Sequence, residues 1–290
     1  MEVRTSVNGP DRDSLLAPHG VRTFDLTLQH RIQLVRCEPT THVNEFMPSR
    51  IFCTGNGVLH DGPRRFHLDR WANDEWLAFR ENFVRVIMRY WDRKLELAPN
   101  RPWYQPRSAQ AAPEPARITC ALSLALVDTA AQAHHRYFIV KPRETNFRPF
   151  ANAQRRLGLF THRDLAIRPR IGLPTIGGAL HNVCYQQSPV LHEFGHTLGL
   201  GHVGGAGNSE RAYGTTLTEQ QDIMGLGDRL SARAAQPWIA QLRHHLILAR
   251  GEPPLSFTAR LIALQLITYW DYDWVPEWRR RPATDGPPAS

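Results

Sequence analysis

The sequence predicts an α/β (α+β) fold in which strands and helices mix along one continuous stretch, roughly residues 22–250. Three observations carry this. Residues 24–37 (FDLTLQHRIQLVRC) alternate apolar and polar side chains, as a half-buried strand does. Residues 118–128 put Ile118, Cys120, Leu122, Leu124 and Leu126 on one face and small residues on the other, the mark of a strand with one deeply buried face. Between them, from Trp76, apolar residues recur at Phe79, Phe83, Val86 or Ile87, and Tyr90, one face of a helix at a period of 3.6.

The elements follow in order. Residues 1–21 are polar and rich in Pro and Gly and read as a flexible N-terminal segment. The strand at 24–37 is followed by a turn-rich stretch and then by the helix, expected over 76–97, with Asn73 or Asp74 as its cap and Pro99 past its end. Segment 100–115 is a Pro-rich connection, and after the strand at 118–128, residues 137–140 and 157–167 read as two more strands. A stripe of Trp238, Leu242 and Leu246 predicts a last helix. Residues 251–278 form a C-terminal extension packing on the domain, and 279–290 form a flexible basic and polar tail.

Composition narrows the function. A chain of 290 residues at 42% hydrophobic and 21% charged has the apolar material for a sizeable core, which argues against wholesale disorder. The longest apolar runs, 118–127 and 261–270, are too short to span a bilayer, and residues 1–20 lack the apolar core of a secretory signal. The localisation is therefore open, with a non-classical or injected export route in keeping with the missing signal. Four cysteines without C-x-x-C spacing are too few for a disulfide scaffold and read as buried thiols, with one or two disulfides and the redox compartment left open by the sequence. The net charge of +8 comes almost wholly from arginine, since Lys94 and Lys141 are the only lysines, and it is spread along the chain. No specific nucleic-acid partner follows; the one dense cluster, Arg279-Arg280-Arg281, suits an anionic docking surface. A monomer is expected.

Residues 188–202 (SPVLHEFGHTLGLGH) carry the chemistry. His192 and His196 stand four apart, so on a helix both imidazoles face one ion from adjacent turns. Glu193 adjoins the first of them and can reach a water beside the ion without being a ligand. A third ligand six residues on demands that the helix stop, and Gly199 suits the left-handed conformation of such a stop, so the chain can turn back and present His202. Ser188 and Pro189 are favoured residues for the cap and first position of the helix. With 14 histidines, chance yields the five-residue core at about the percent level; requiring Gly199 and His202 too lowers this to on the order of one in ten thousand. The expected cofactor is one catalytic Zn2+ held by His192, His196 and His202. The adjacent pairs His134/His135 and His244/His245 face different ways on any regular element and read as surface or packing residues.

HEFGHTLGLGH matches H-E-x-x-H-x-x-G-x-x-H and resembles the active-site helix of the metzincin zinc endopeptidases, most closely the matrixin branch. The resemblance covers roughly residues 188–227. It implies a metzincin-like fold: a twisted mixed sheet with a long backing helix, then the active-site helix, a methionine-bearing tight turn (Met-turn) and a C-terminal helix. Gln221-Asp222-Ile223-Met224-Gly225 is the candidate for that turn. It further implies Glu193 as general base and acid in hydrolysis of a protein or peptide substrate, residues 157–167 as the substrate-pairing edge strand, and Leu226 in the wall of the pocket after the scissile bond. A secreted or delivered toxin-like effector fits a lone protease domain. Two departures stand out: no tyrosine follows Met224 at the place of a switch ligand, and Val203 replaces the aspartate of reprolysin-like members. Arg36-Cys37-Glu38-Pro39 resembles a matrixin cysteine switch but lies in a strand, where a structural cysteine is expected. The rival readings are a zinc hydrolase of a non-protein amide and a catalytically silent binding module of the same fold.

Overall fold

The computed structural model describes residues 2–3, 5–20, 22–47, 50–100, 116–207, 209–247 and 255–263. The Pro-rich connection, the basic tail and most of the C-terminal extension lie outside these residues. Two compact units form. The first comprises Met1–Ala166, Pro189–Leu200 and Leu230–Leu264; the described part of the second is Ile167–Ser188 and Gly201–Arg229. The stretch 22–250, read as one domain, contributes to both.

The first unit is built on a large twisted mixed sheet of nine strands. Its centre is the alternating segment, strand Thr23–Arg36, whose inward residues Phe24, Leu26, Leu28, His30 and Ile32 are buried while their neighbours are half-buried. Arg117–Leu126 runs parallel to it on one side and His135–Val140 parallel on the other, and Leu157–Thr161 extends the sheet in parallel beyond. Phe150–Asn152 closes that end antiparallel, while Leu95–Pro99 and Phe257–Leu261 close the opposite end.

Three expectations are corrected here. The strand at 157–161 is not an edge: all five residues, LGLFT, are buried, and a strand covered on both faces belongs inside a sheet. The edge is Phe150–Asn152, three residues long and too short to leave a periodic signal. The N-terminal segment is not simply flexible: Asp13–Pro18 pairs with the central strand over Phe24–Gln29, filling the side that His135–Val140 does not reach. The turn-rich stretch before the helix is a four-stranded antiparallel meander, Val43–Met47, Arg50–Gly55, Val58–Asp61 and Arg64–His67. Its Asn56-Gly57 turn, with φ of 52° and 76°, carries the Asn-Gly hairpin signature.

The long helix runs Asn73–Trp91 and buries Trp76, Phe79, Phe83, Ile87 and Trp91, so Trp91 rather than Tyr90 completes the stripe. Ala72, not Asn73 or Asp74, stands at the cap, and Glu75 reaches back to its N–H at 3.4 Å. The helix ends six residues before the expected Leu97, because Leu95 and Leu97 alternate with half-buried neighbours and are drawn into the sheet. Phe83 sets its ring against Tyr137 and Phe160 of the sheet, and Trp91 meets Phe194. The last helix, Gln236–His245, buries Trp238, Ile239 and Leu242, and the Trp238 indole donates to the Ala121 carbonyl at 2.8 Å. A second apolar cluster joins Phe52, Leu59 and Phe66 of the meander to Phe138, Val140 and Leu159, with Cys37 inside it. Burial there pushes the Cys37 thiol up to about 12, as suits a structural cysteine. All four cysteines are free thiols. Among the described residues no helix is long and apolar enough to cross a membrane.

The second unit is small. Arg168–Gly172 pairs antiparallel with Val183–Gln187, a short hairpin joins Thr175–Ile176 to Ala179–Leu180, and the helix Leu217–Gln221 is capped by Thr216 and Glu219 reciprocally. Val183, Tyr185, Tyr213 and Leu226 form its core.

Candidate metal centre

The helix Pro189–Leu198 begins at the proline and ends before Gly199, as its sequence dictates. Val190, Phe194, Thr197 and Leu198 are buried; Phe194 packs edge-on against His30 of the central strand, and the Thr197 hydroxyl pairs with that of Tyr137. That packing fixes the helix about its axis and directs His192 and His196 together to the remaining side. Their rings stand 4.9 Å apart.

Two backbone bonds form the helix stop. The Leu200 N–H donates to the Gly195 carbonyl and the Gly199 N–H to that of His196, both at 2.9 Å, which is a Schellman motif with Gly199 at φ 99°. Two residues later the chain presents His202. The ligand atoms of His192, His196 and His202, all carried on this one continuous segment, lie within 4.8 Å of one another, so the triad can hold a metal ion. Among the described residues no other group of three His, Cys, Asp or Glu does so.

The tautomers agree with that use. His196 Nδ1 lies 2.8 Å from the Leu200 carbonyl and His202 Nδ1 lies 2.7 Å from the Gly207 carbonyl. A carbonyl only accepts, so each Nδ1 carries the hydrogen and each Nε2 keeps its lone pair for an ion. Burial lowers the His196 pKa, which holds the ring neutral as a ligand must be. Tyr213 lies against the His202 ring at 4.3 Å between centroids, with the Arg170 guanidinium over its ring. The three-imidazole donor set fits a borderline divalent cation such as Zn2+.

Glu193 sits on the same helix, and its Oε2 accepts from the Ala151 N–H of the edge strand at 2.9 Å. The carboxylate is thus aimed by the backbone of the edge strand. Sequence reasoning missed Ala151, because its bond to Glu193 depends on which strand ends the sheet.

Asp222-Ile223-Met224-Gly225 is a tight turn: the Gly225 N–H donates to the Asp222 carbonyl at 2.8 Å and the Met224 N–H to Asp222 Oδ1 at 2.8 Å. Met224 is buried, and its carbonyl accepts from the Val203 N–H, next to His202, at 3.3 Å. The carboxamide nitrogen of Gln187, fully buried, lies 3.1, 3.2 and 2.9 Å from the carbonyls of Ile223, Gly225 and Gly227 and gathers the turn around one side chain. Leu226 points into the core of the second unit rather than into open space, since it packs with Val183, Tyr185 and Tyr213. Of the other histidines, His134, His135 and His245 are buried, and Ser14 Oγ pairs with His245 at 2.8 Å. They are packing residues, and only His244 of the two pairs is exposed.

Compared with protein-family models, with curated proteins and with solved structures, the chain has no match.

Proposed function

We propose that the chain is a zinc-dependent endopeptidase of the metzincin type. The single observation that carries this reading is the convergence of His192, His196 and His202 from one helix and its Schellman stop. The order of elements supports it: a mixed sheet with one long helix, then the histidine helix, a methionine-bearing tight turn and a last helix.

His192, His196 and His202 would hold the zinc ion, which when bound would supply Lewis acidity toward a carbonyl oxygen and lower the pKa of water to about 7. His196 and His202 keep their rings in the productive tautomer through the Leu200 and Gly207 carbonyls. Glu193, oriented by the Ala151 N–H, would accept a proton as water attacks the peptide carbonyl and then deliver it to the departing amine. The buried aromatic packing under the helix keeps this geometry rigid.

The test is Glu193→Gln on a peptide library and on casein, with and without chelator. Glutamine retains an oxygen for the Ala151 N–H, so zinc content and melting temperature should hold while cleavage falls about 10²–10⁴-fold. A variant within threefold of wild type removes Glu193 from the chemistry. Stoichiometric zinc without hydrolysis of any peptide replaces the protease with a binding module or a hydrolase of another amide.

A further inference from the structure

A helix leaves its last carbonyls without intrahelical partners, and these form its negative end. In the helix Pro189–Leu198 the Schellman bonds take up Gly195 and His196. The Leu198 carbonyl, at the point where the chain departs toward His202, is met by the guanidinium of Arg12, whose Nη1 donates at 2.8 Å. A Cβ at Gly199 would lie 3.6 Å from Arg12 Nη2, so the side chain lies directly over the helix stop. Only 14% of the Arg12 side chain is exposed. Removing a guanidinium from water is costly, and burial lowers its pKa accordingly.

The loop that carries Arg12 is preset on the sheet. The Asp11 carbonyl accepts from His135 Nε2 at 3.0 Å and that of Pro10 from Arg156 Nη1 at 3.2 Å. Asp13 accepts from the Gly9 N–H at 3.3 Å and pairs with Arg31 of the central strand. Arg12 thus links a loop held on the sheet to the last turn of the histidine helix.

We infer that Arg12 is a positioning residue of the metal centre: by capping the Leu198 carbonyl it fixes the turn through which His202 is delivered to His192 and His196. The inference rests on the metal-binding reading above. It assigns to the N-terminal segment a part in building the site that no local motif announces.

The experiment uses the full chain, with zinc affinity read by competition with a chromophoric chelator and ligand geometry read from the visible spectrum of the Co2+-substituted protein. Arg12→Met keeps the aliphatic stem and removes the donor; Arg12→Lys keeps a charged donor. Outer-sphere partners of metal ligands are worth 10–100-fold in affinity. Arg12→Met should therefore weaken zinc about tenfold and alter the Co2+ bands, and Arg12→Lys should restore affinity to within about threefold. A purely structural Arg12 would lower the melting temperature of the metal-free protein without moving affinity or spectrum, and that result overturns the inference. So does tighter zinc binding by Arg12→Met, which would mean that repulsion between guanidinium and metal outweighs positioning. If Arg12→Met does not fold, Arg12→Gln, which retains a neutral donor, replaces it: wild-type affinity and wild-type Co2+ bands in that variant refute the inference if Arg12→Ala also shows them, and intermediate affinity supports it. His202→Ala separates the two claims, because a wild-type protein that binds zinc no better than His202→Ala refutes the metal centre itself.

Discussion

Gln187→Leu tests how the tight turn beside the histidines is held. One buried carboxamide nitrogen serves three carbonyls, of Ile223, Gly225 and Gly227, at 2.9–3.2 Å. Its two hydrogens cannot meet three acceptors singly, so at least one bond is shared. Leucine is close in volume, so the substitution leaves little cavity and reports on hydrogen bonding. Two lost bonds contribute about 1 kcal/mol each, and the carbonyls left dry in a buried site add about 1 kcal/mol more, a total near 3 kcal/mol. At about 2–4 °C per kcal/mol for a chain of this size, the melting temperature should fall by about 6–12 °C. Urea unfolding of the chelator-treated protein measures the free energy, and hydrogen exchange at the amides of 223–227 locates it. Gln187→Glu should be worse, since a carboxylate would face the same carbonyls. A Gln187→Leu protein within about 0.5 kcal/mol of wild type, with unchanged exchange in the turn, would refute the account.

Two further outcomes follow from burial. His135 is held near 4 and His30 well below its ordinary 6.5, chiefly because burial penalises the charged ring, so below about pH 6.5 the unfolded chain binds protons that the native state refuses. Stability of the metal-free protein should fall as pH drops from about 6.5 to 4, by about 2 kcal/mol at pH 5 from His135 alone; urea titrations at pH 7.5 and 5 check this, and stability that holds level would contradict it. Leu226→Trp should cost about 1–3 kcal/mol by overpacking against Val183, Tyr185 and Tyr213, rather than simply reshape a substrate pocket; unchanged stability with an altered cleavage profile would restore the pocket wall expected from the sequence.

What the sequence by itself determined about this protein is what short-range spacing encodes. His192, His196 and the stop at Gly199 sit within one helix and its exit, so a four-residue interval and one glycine suffice to bring the imidazoles together. The central strand and the long helix were likewise legible, because alternation and the 3.6 period report which face is buried. The Asn56-Gly57 pair carries a local hairpin signal as well, since both residues take positive φ. Only the tertiary structure decided the rest. Whether 157–161 or 150–152 ends the sheet depends on 157–161 pairing with 136–140 on one side and with 150–152 on the other. Where the long helix stops depends on the strands that draw Leu95 and Leu97 away from it. Ala151 on Glu193, Gln187 on the turn and Arg12 on Leu198 are hydrogen bonds made by one residue each across 42, 36–40 and 186 residues of chain. No periodicity marks such partners, since a donor that serves a distant carbonyl leaves no pattern in its own neighbourhood. The sequence thus names the three histidines, and the fold chooses what holds them in place.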